Sequence, residues 1–420
     1  MTSLPANRLD RNTSIIVFLA FAAAYFCSAL VRAITATLSP VLTQDFALQA
    51  RDLGLLAGGY FLGFAAMQLP LGTWLDRYGP KRVILYFLSL AVLGCVAFSL
   101  ATGFVWLLAA RVLVGMGVSA CLMAPLTGYR RWFDTATLLR ANSWMLMTGS
   151  LGMLASTLPV QWLMPITGWR PLFWILAALI VLSMAAIAWL VPRWVVSAPA
   201  VKTAGATAGA SSGGYSEVWK SRYFQRMSPL AIFNYGGLVA IQTLWAGPWM
   251  VKVAGYTPLE AATGLFYINA SMLVTFWLWG MVNPRLARIG WDANRLMLWG
   301  VPLSLLALAC NIAAGTSAGW LGWALFCMAS SVMGLAQPAV GMAFAPALAG
   351  RALSAYNLMI FAGVFVVQWG IGLLIDAFAA AGLGQVASFQ AAMAVFLACC
   401  VAAYAWFASL RNVTVDNHAS

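Results

Sequence analysis

The chain has 420 residues, of which 63% are hydrophobic and only 8% charged, with a formal net charge of +13. A water-soluble domain of this length has no use for so much apolar surface, so a soluble enzyme or soluble binding module is excluded. The single histidine, His418, and seven cysteines that all fall inside apolar runs give no basis for a metal site, a His relay, a disulfide framework or a cofactor.

Apolar runs of about 20 residues recur from end to end, enough to cross a bilayer as helices. They do not alternate as barrel strands do. The first run, Ile15 to Leu42 behind Arg8 and Arg11, resembles the core of a signal peptide but is too long for one. It reads as the first membrane helix. Six spans are predicted near 15–40, 53–73, 83–101, 104–127, 141–163 and 171–191. Six more are predicted near 227–249, 262–282, 296–314, 319–345, 352–375 and 389–410. Between the sets lies an Ala/Gly/Ser/Thr-rich stretch, 197–216, with the composition of a flexible linker. The expected architecture is therefore an all-α integral membrane protein of twelve transmembrane helices. Two pseudo-symmetric six-helix bundles, 1–192 and 227–411, are joined by a cytoplasmic linker, 193–226, and followed by a cytoplasmic tail, 412–420.

The basic residues orient the chain. With the N terminus in the cytoplasm, eighteen of the 23 Lys and Arg residues fall in tails and inner loops. Three (Arg51, Arg170, Lys252) fall in outer loops and two (Arg32, Arg111) inside spans. That asymmetry supports both the span count and cytoplasmic termini. The positive charge is spread over many short loops, so it is a topology signal and no nucleic-acid partner is expected. The second half echoes the first. Gly72 and Arg77 recur as Gly280 and Arg285 at an offset of 208, and "RANS" at 140–143 recurs as "RALS" at 351–354 at an offset of 211. Pro284 stands where a second Asp76 would be.

The stretch "GTWLDRYGPKR" at 72–82 gathers charge between two apolar runs. Gly72, Asp76, Arg77, Gly79, Lys81 and Arg82 match the pattern Gly-x-x-x-Asp-Arg-x-Gly-x-(Lys/Arg)-(Lys/Arg). That pattern resembles the loop between spans 2 and 3 of the major facilitator superfamily. Arg111, Gly115 and Gly117 resemble the family's Arg-x-x-x-Gly-x-Gly signature in span 4. With twelve spans and a central linker, the resemblance covers essentially the whole chain. It implies a secondary transporter that binds cargo near the membrane midplane between two moving halves. It also places Asp76 near the start of span 11, around Arg351–Ser354. A carboxylate at a helix start is favourable by about 0.3–1 kcal/mol. Such a contact forms only when the inner side is closed and so favours the outward-open state. The six residues are therefore expected to gate. The plainer reading of Arg77, Lys81 and Arg82 is that they anchor the loop on the cytoplasmic side.

Ionisable residues inside spans are costly and mark function. Helical rise puts Arg32 roughly 12 Å and Arg111 roughly 10 Å from the outer end, on spans that line the cavity in the family. No Asp or Glu lies mid-span. Two uncompensated guanidiniums attract an anion and fork onto carboxylate or phosphate. Arg111 also fits a structural or coupling role, and Arg32 also fits a side chain snorkelling outward. An Arg in span 1 resembles the organic-anion and organophosphate branches. The second-half cation those branches often use is missing from span 7, which speaks against a phosphorylated cargo. Further substrate-binding candidates are Tyr60, Trp144, Asn234, Gln242, Trp245, Tyr267, Gln337, Tyr356 and Asn357. Each also fits a helix–helix hydrogen bond or an interface anchor. Gly54/Gly58 and Gly59/Gly63 are GxxxG pairs that permit close helix approach. The acids nearest the outer mouth are Asp45 and Asp52, so symport, uniport and exchange all stay open.

The expectation is a monomeric secondary transporter, with symport as the leading mode of coupling, moving a small organic anion across a bacterial inner membrane. The runner-up is efflux of hydrophobic or cationic drugs, which rests on the aromatic content and lacks a Gly-Pro-x-x-Gly-Gly pattern in span 5. A non-transporting membrane sensor would need an output domain, and the longest predicted non-membrane stretch is the linker.

Overall fold

The structure, a computed structural model, describes residues 9–192 and 214–410. The first eight residues, most of the expected linker and the expected tail, with Arg8, Arg193, Lys202, Arg411 and His418, lie outside the described residues. The described chain folds into helices. In the first half these are α1 (Arg11–Phe46), α2 (Ala50–Ala66), α3 (Gln68–Tyr78), α4 (Pro80–Leu100), α5 (Phe104–Val118), α6 (Ala120–Trp132), α7 (Thr135–Ala155), α8 (Leu158–Thr167) and α9 (Trp169–Leu190). The second half runs α10 (Tyr215–Lys220), α11 (Arg222–Pro229), α12 (Gly236–Ala240), α13 (Ala246–Lys252), α14 (Pro258–Arg288) and α15 (Ala293–Ala314). It ends with α16 (Trp320–Ser330), α17 (Ala336–Met342), α18 (Pro346–Ala380) and α19 (Gln385–Ser409).

Among the described residues ten helical segments are long and apolar enough to cross a bilayer, and the bent pair α2–α3 makes an eleventh. The α7–α8 segment connects the same two ends between α6 and α9 and completes the twelve expected crossings. The chain alternates between two ends. One, the basic end, gathers the turns bearing Arg77, Lys81, Arg82, Arg130, Arg131, Arg288 and Arg295. The opposite end carries the turns after Phe46, Leu100, Thr167, Lys252, Ala314 and Ala380.

Several crossings are broken, each for a local reason. Pro70 lacks an N–H and its ring crowds the carbonyl four residues back, and the helix bends by 44° between α2 and α3. Gln68 Nε2 patches the break by donating to Phe64 O at 3.2 Å. Two further breaks are related by the internal repeat. Ser119, between α5 and α6, donates its hydroxyl to Met116 O at 2.7 Å. Ser331, 212 residues on, does the same to Met328 O at 2.6 Å and opens the 3₁₀ turn Ser331–Leu335 before α17. Helix α11 begins at Arg222, a little before the expected 227, behind Ser221 at its N-cap.

Packing between the bundles is uneven. One buried core runs through the whole first bundle and on into the opposite-end half of the second, through Trp245, Trp249, Ile268, Trp323, Ile371 and Phe389. A second buried core, around Phe224, Met297, Met333 and Tyr356, belongs to the basic-end half of the second bundle alone. The bundles thus share a core at the opposite end, whereas towards the basic end their cores are distinct and they meet along the continuation of one seam, α3 against α18. The seam is α2 against α18, where a Cβ on Gly54 would lie 2.3 Å from Gln368 O. Helix α1 closes on α13, with Gly247 facing Ala36 O, and α14 packs on α7 and α8.

Candidate functional site

Arg32 sits near the middle of α1, half-buried, and its buried Nε has no hydrogen-bond partner. Its neighbours are the hydroxyls of Tyr25 and Tyr60. Tyr25 is seven residues before Arg32, two turns back on the same helix face. Its ring packs on α7, where a Cβ on Gly149 would meet Tyr25 Cε1 at 2.6 Å. Tyr60, fully buried on α2, donates weakly to Ser28 O at 3.5 Å. From the other bundle comes Tyr235, which lies within electrostatic reach of both Tyr25 and Arg32. Tyr356 in turn lies close to Tyr235. Its fully buried hydroxyl has no partner, and neither has the buried Oδ1 of Asn234. One cation and tyrosines from α1, α2 and the segment before α12 therefore meet between the bundles, with Tyr356 of α18 behind Tyr235 in the core of the second bundle.

Two π-helical turns shape that segment, Leu230–Tyr235 and Ile241–Trp245. Such turns widen a helix by one residue and are common at functional positions. The first presents Asn234 and Tyr235. The second carries Gln242, whose Nε2 donates to Asn269 Oδ1 at 3.0 Å, and Trp245.

Arg111 takes a different place from the one expected. It is 1% exposed on α5, and its guanidinium donates to Val31 O at 3.1 Å and to Thr35 Oγ1. It also lies over the rings of Tyr60, at 5.4 Å, and Phe98. These contacts tie α5 to α1 inside one bundle, so the charge, with only Nε left unpartnered, is spent on Val31 and Thr35 and not presented between the bundles. The expected pair of facing arginines reduces to Arg32 alone.

The other candidates divide. Trp245 is fully buried, and its indole N–H donates at 3.1 Å to Gln368 O, the carbonyl that faces Gly54 across the α2–α18 seam. Gln337 donates to Asn357 on α18, a helix–helix contact. Trp144 is 56% and Tyr267 45% exposed, and Tyr267 leans on Trp320. The structure does not bring either to the Arg32 cluster by any described contact.

In the 72–82 stretch, Gly79 closes α3 at φ 79°, a turn that favours glycine, and Pro80 starts α4. Lys81 Nζ donates to Val191 O at 2.6 Å. Arg77 lies over Tyr78, and Arg82 is exposed. Gly72, not Asp76, faces Ser354 of α18, with 4.0 Å between an added Cβ and Ser354 Oγ. Asp76 is exposed, so the expected contact with the start of α18 is not made in this conformation.

A match to the model of the Major Facilitator Superfamily covers residues 21–368. The chain belongs to the Major Facilitator Superfamily. It is a multi-pass membrane transporter and not an enzyme. Solved structures with the same fold include a bacterial homologue of the human lysosomal transporter Spinster in an inward-facing, unoccupied conformation. It aligns with TM-score 0.76 and 18% identity over 95% of this chain and 97% of that one. A D-xylose–proton symporter aligns with TM-score 0.76 and 15% identity over 94% and 97%.

Similar curated proteins include the probable sulfoacetate transporter SauU of Cupriavidus necator, 24% identical over 37% of this chain and 36% of the relative. The 4-hydroxybenzoate transporter PcaK of Pseudomonas aeruginosa is 28% identical over 36% and 33%. The hexuronate transporter of Bacillus subtilis is 35% identical over 19% of each chain. The chain thus spans about a third or less of the length of these relatives.

Away from the tyrosine ring, a cavity of about 630 Å³ opens between α14, α15 and α16. Its lining is almost wholly apolar, through Leu278, Val282, Leu303, Leu306 and Leu325, and it lacks any charged group. It has no chemistry for an ionic cargo.

Proposed function

We propose that this transporter moves a small organic anion by alternating access, with Arg32 as the anchor for the cargo's carboxylate or sulfonate. The observation that carries the reading is the place of Arg32, a half-buried cation between the bundles whose described neighbours are tyrosine hydroxyls, in a set of spans without a mid-span acid. A cation held away from bulk water with no countercharge beside it is costly unless something else neutralises it. The guanidinium fork suits a planar or tetrahedral oxyanion. Tyr25, Tyr60 and Tyr235 would add hydroxyl donors and an aromatic wall, with Asn234 and Tyr356 facing the cargo's far end. Three similar transporters, partial as their matches are, are named for sulfoacetate, 4-hydroxybenzoate and hexuronate, all organic anions. A cationic drug would meet Arg32 with the wrong sign, which favours this reading over efflux.

The basic end faces the cytoplasm of a bacterial inner membrane in this reading, by the distribution of Lys and Arg. Units 1–192 and 227–411 then rock about a linker, 193–226, with the tail 412–420 also inside. One chain holds every residue of the Arg32 cluster, so a monomer suffices. The test is uptake of radiolabelled 4-hydroxybenzoate, hexuronate and sulfoacetate into vesicles. At least one should accumulate, and Arg32→Ala should reduce that uptake at least about tenfold, the effect of losing about 1.4 kcal/mol. Unchanged uptake in the variant would remove Arg32 from the cargo site.

A further inference from the structure

The far end of the α2–α18 seam holds a contact that serves neither cargo binding nor the packing of either bundle. Asp376, half-buried near the end of α18, accepts Ala50 N–H at 3.1 Å through Oδ1 and Arg51 N–H at 2.9 Å through Oδ2. Ala50 and Arg51 are the first two residues of α2, so their N–H groups have no partner within that helix. A carboxylate from one bundle thus caps a helix of the other. Its charge sits on the positive end of the α2 dipole.

The neighbouring acids are used differently. Asp45 accepts Trp169 Nε1 at 2.8 Å, and Asp52 accepts Gln49 N–H at 3.0 Å, both within the first bundle. Arg51 Nε reaches Asp52 at 3.8 Å, and no ion pair of Asp376 is found among the described residues. Beside the contact, a cleft of about 190 Å³ is lined by Ser39, Gln49, Ala50, Trp245 and Lys252. Ala50 is at once part of its rim and a donor to Asp376.

We propose that Asp376 is a latch that holds the opposite end of the transporter shut, and that its release from α2 is a required step in opening that end. Opening must part α2 from α18 next to the cleft. That motion strips the carboxylate of both backbone donors at once and leaves the α2 start bare until water replaces it. The latch therefore weights the equilibrium toward the state open at the basic end. Asp76, at the other end of the same helix pair, is exposed while Asp376 is engaged. The proposal rests on the family's moving bundles and is independent of which cargo is carried.

The test reads conformation without adding cargo. Cys310 and Cys399, the two cysteines that are not buried, are replaced by Ala. Spin labels are attached through Ala47→Cys and Ala381→Cys, exposed positions on the opposite end of the two bundles. Distances are measured on the full chain in nanodiscs. Asp376→Asn keeps one acceptor oxygen but turns an amide N–H toward the other donor. It should raise the ratio of long to short distances about tenfold, equivalent to about 1.4 kcal/mol. Ala50→Pro removes one donor at the first helical position, where proline is well accommodated, and should shift the ratio in the same direction. Asp376→Glu, which keeps the carboxylate, should shift it least. Unchanged distances in both Asp376→Asn and Ala50→Pro, in protein with the parent's elution profile, would overturn the latch. So would a fall in melting temperature with no change in distance, because that is the signature of a packing role alone. If Asp376→Asn fails to fold, Ala50→Pro decides alone.

Discussion

At the scale of single residues, two arginines in the same bundle do opposite work. Arg111 places two guanidinium nitrogens on Val31 O and Thr35 Oγ1, leaves only Nε without a partner, and holds α5 to α1. Arg32 instead faces tyrosines of both bundles. Hydrogen bonds from a charged donor contribute about 1.5–3 kcal/mol each. Arg111→Ala should therefore lower unfolding free energy by about 2 kcal/mol or more, read as a lower melting temperature in detergent. Arg32→Ala should leave that temperature near the parent's while removing anion uptake. If the two variants lose stability equally, the division of roles is wrong. The sequence shows both residues as costly charges within spans but does not separate them. Separation depends on what stands opposite, and Val31 and Thr35 are ordinary apolar and small residues in a helix. Tyr25 was missed although its seven-residue spacing from Arg32 places it on the same face. Tyrosine at a single helical spacing is common in any membrane helix.

At the scale of elements, α2 is built to touch two neighbours with two faces. Gly54 and Gly58 meet Gln368 and Phe365 of α18, in the other bundle. Gly59 and Gly63 meet Leu108 and Val112 of α5, in its own bundle. The GxxxG spacing announces close approach but not to which helix. The consequence differs for each pair. A Cβ at Gly63 would lie 2.2 Å from Val112 O, inside a permanent contact, so Gly63→Ala should destabilise the folded bundle. Gly54→Ala wedges the seam that must part during transport, so it should increase labelling of the opposite-end cleft while costing less stability. Measuring melting temperature and thiol labelling at Ser39→Cys for both variants checks this. Equal effects on both readouts would mean that the seam is as permanent as the α2–α5 contact. The 212-residue repeat of the broken helices was likewise hidden, because Ser119 and Ser331 are too plain a pair to find by eye. It emerges once each is seen to turn its hydroxyl onto the carbonyl three residues back at a break in its helix.

At the scale of the molecule, the buried cores merge at one end and stay apart at the other, which is one position of a two-position machine. Tying the merged end shut should stop transport but leave binding from the basic side intact. Ala36→Cys with Gly247→Cys, bridged by a short bifunctional reagent, makes that tie across α1 and α13, and equilibrium binding alongside vesicle uptake tests it. Continued uptake after complete bridging would exclude rocking about this seam. The fold class, the number of crossings and the alternation of their ends were all present in the one-dimensional string. Hydrophobic length and the placement of basic loops act locally, and the bilayer converts both directly into topology. The signature at 72–82 added the family, since its glycines and charges are close in sequence and mark one turn. Only the tertiary structure decided which arginine stands between the bundles, which face of α2 belongs to which bundle, and that Asp376 rather than Asp76 is engaged. Those outcomes turn on contacts between residues up to 326 positions apart. Nothing in local composition encodes such distances, because they are set by how two bundles dock.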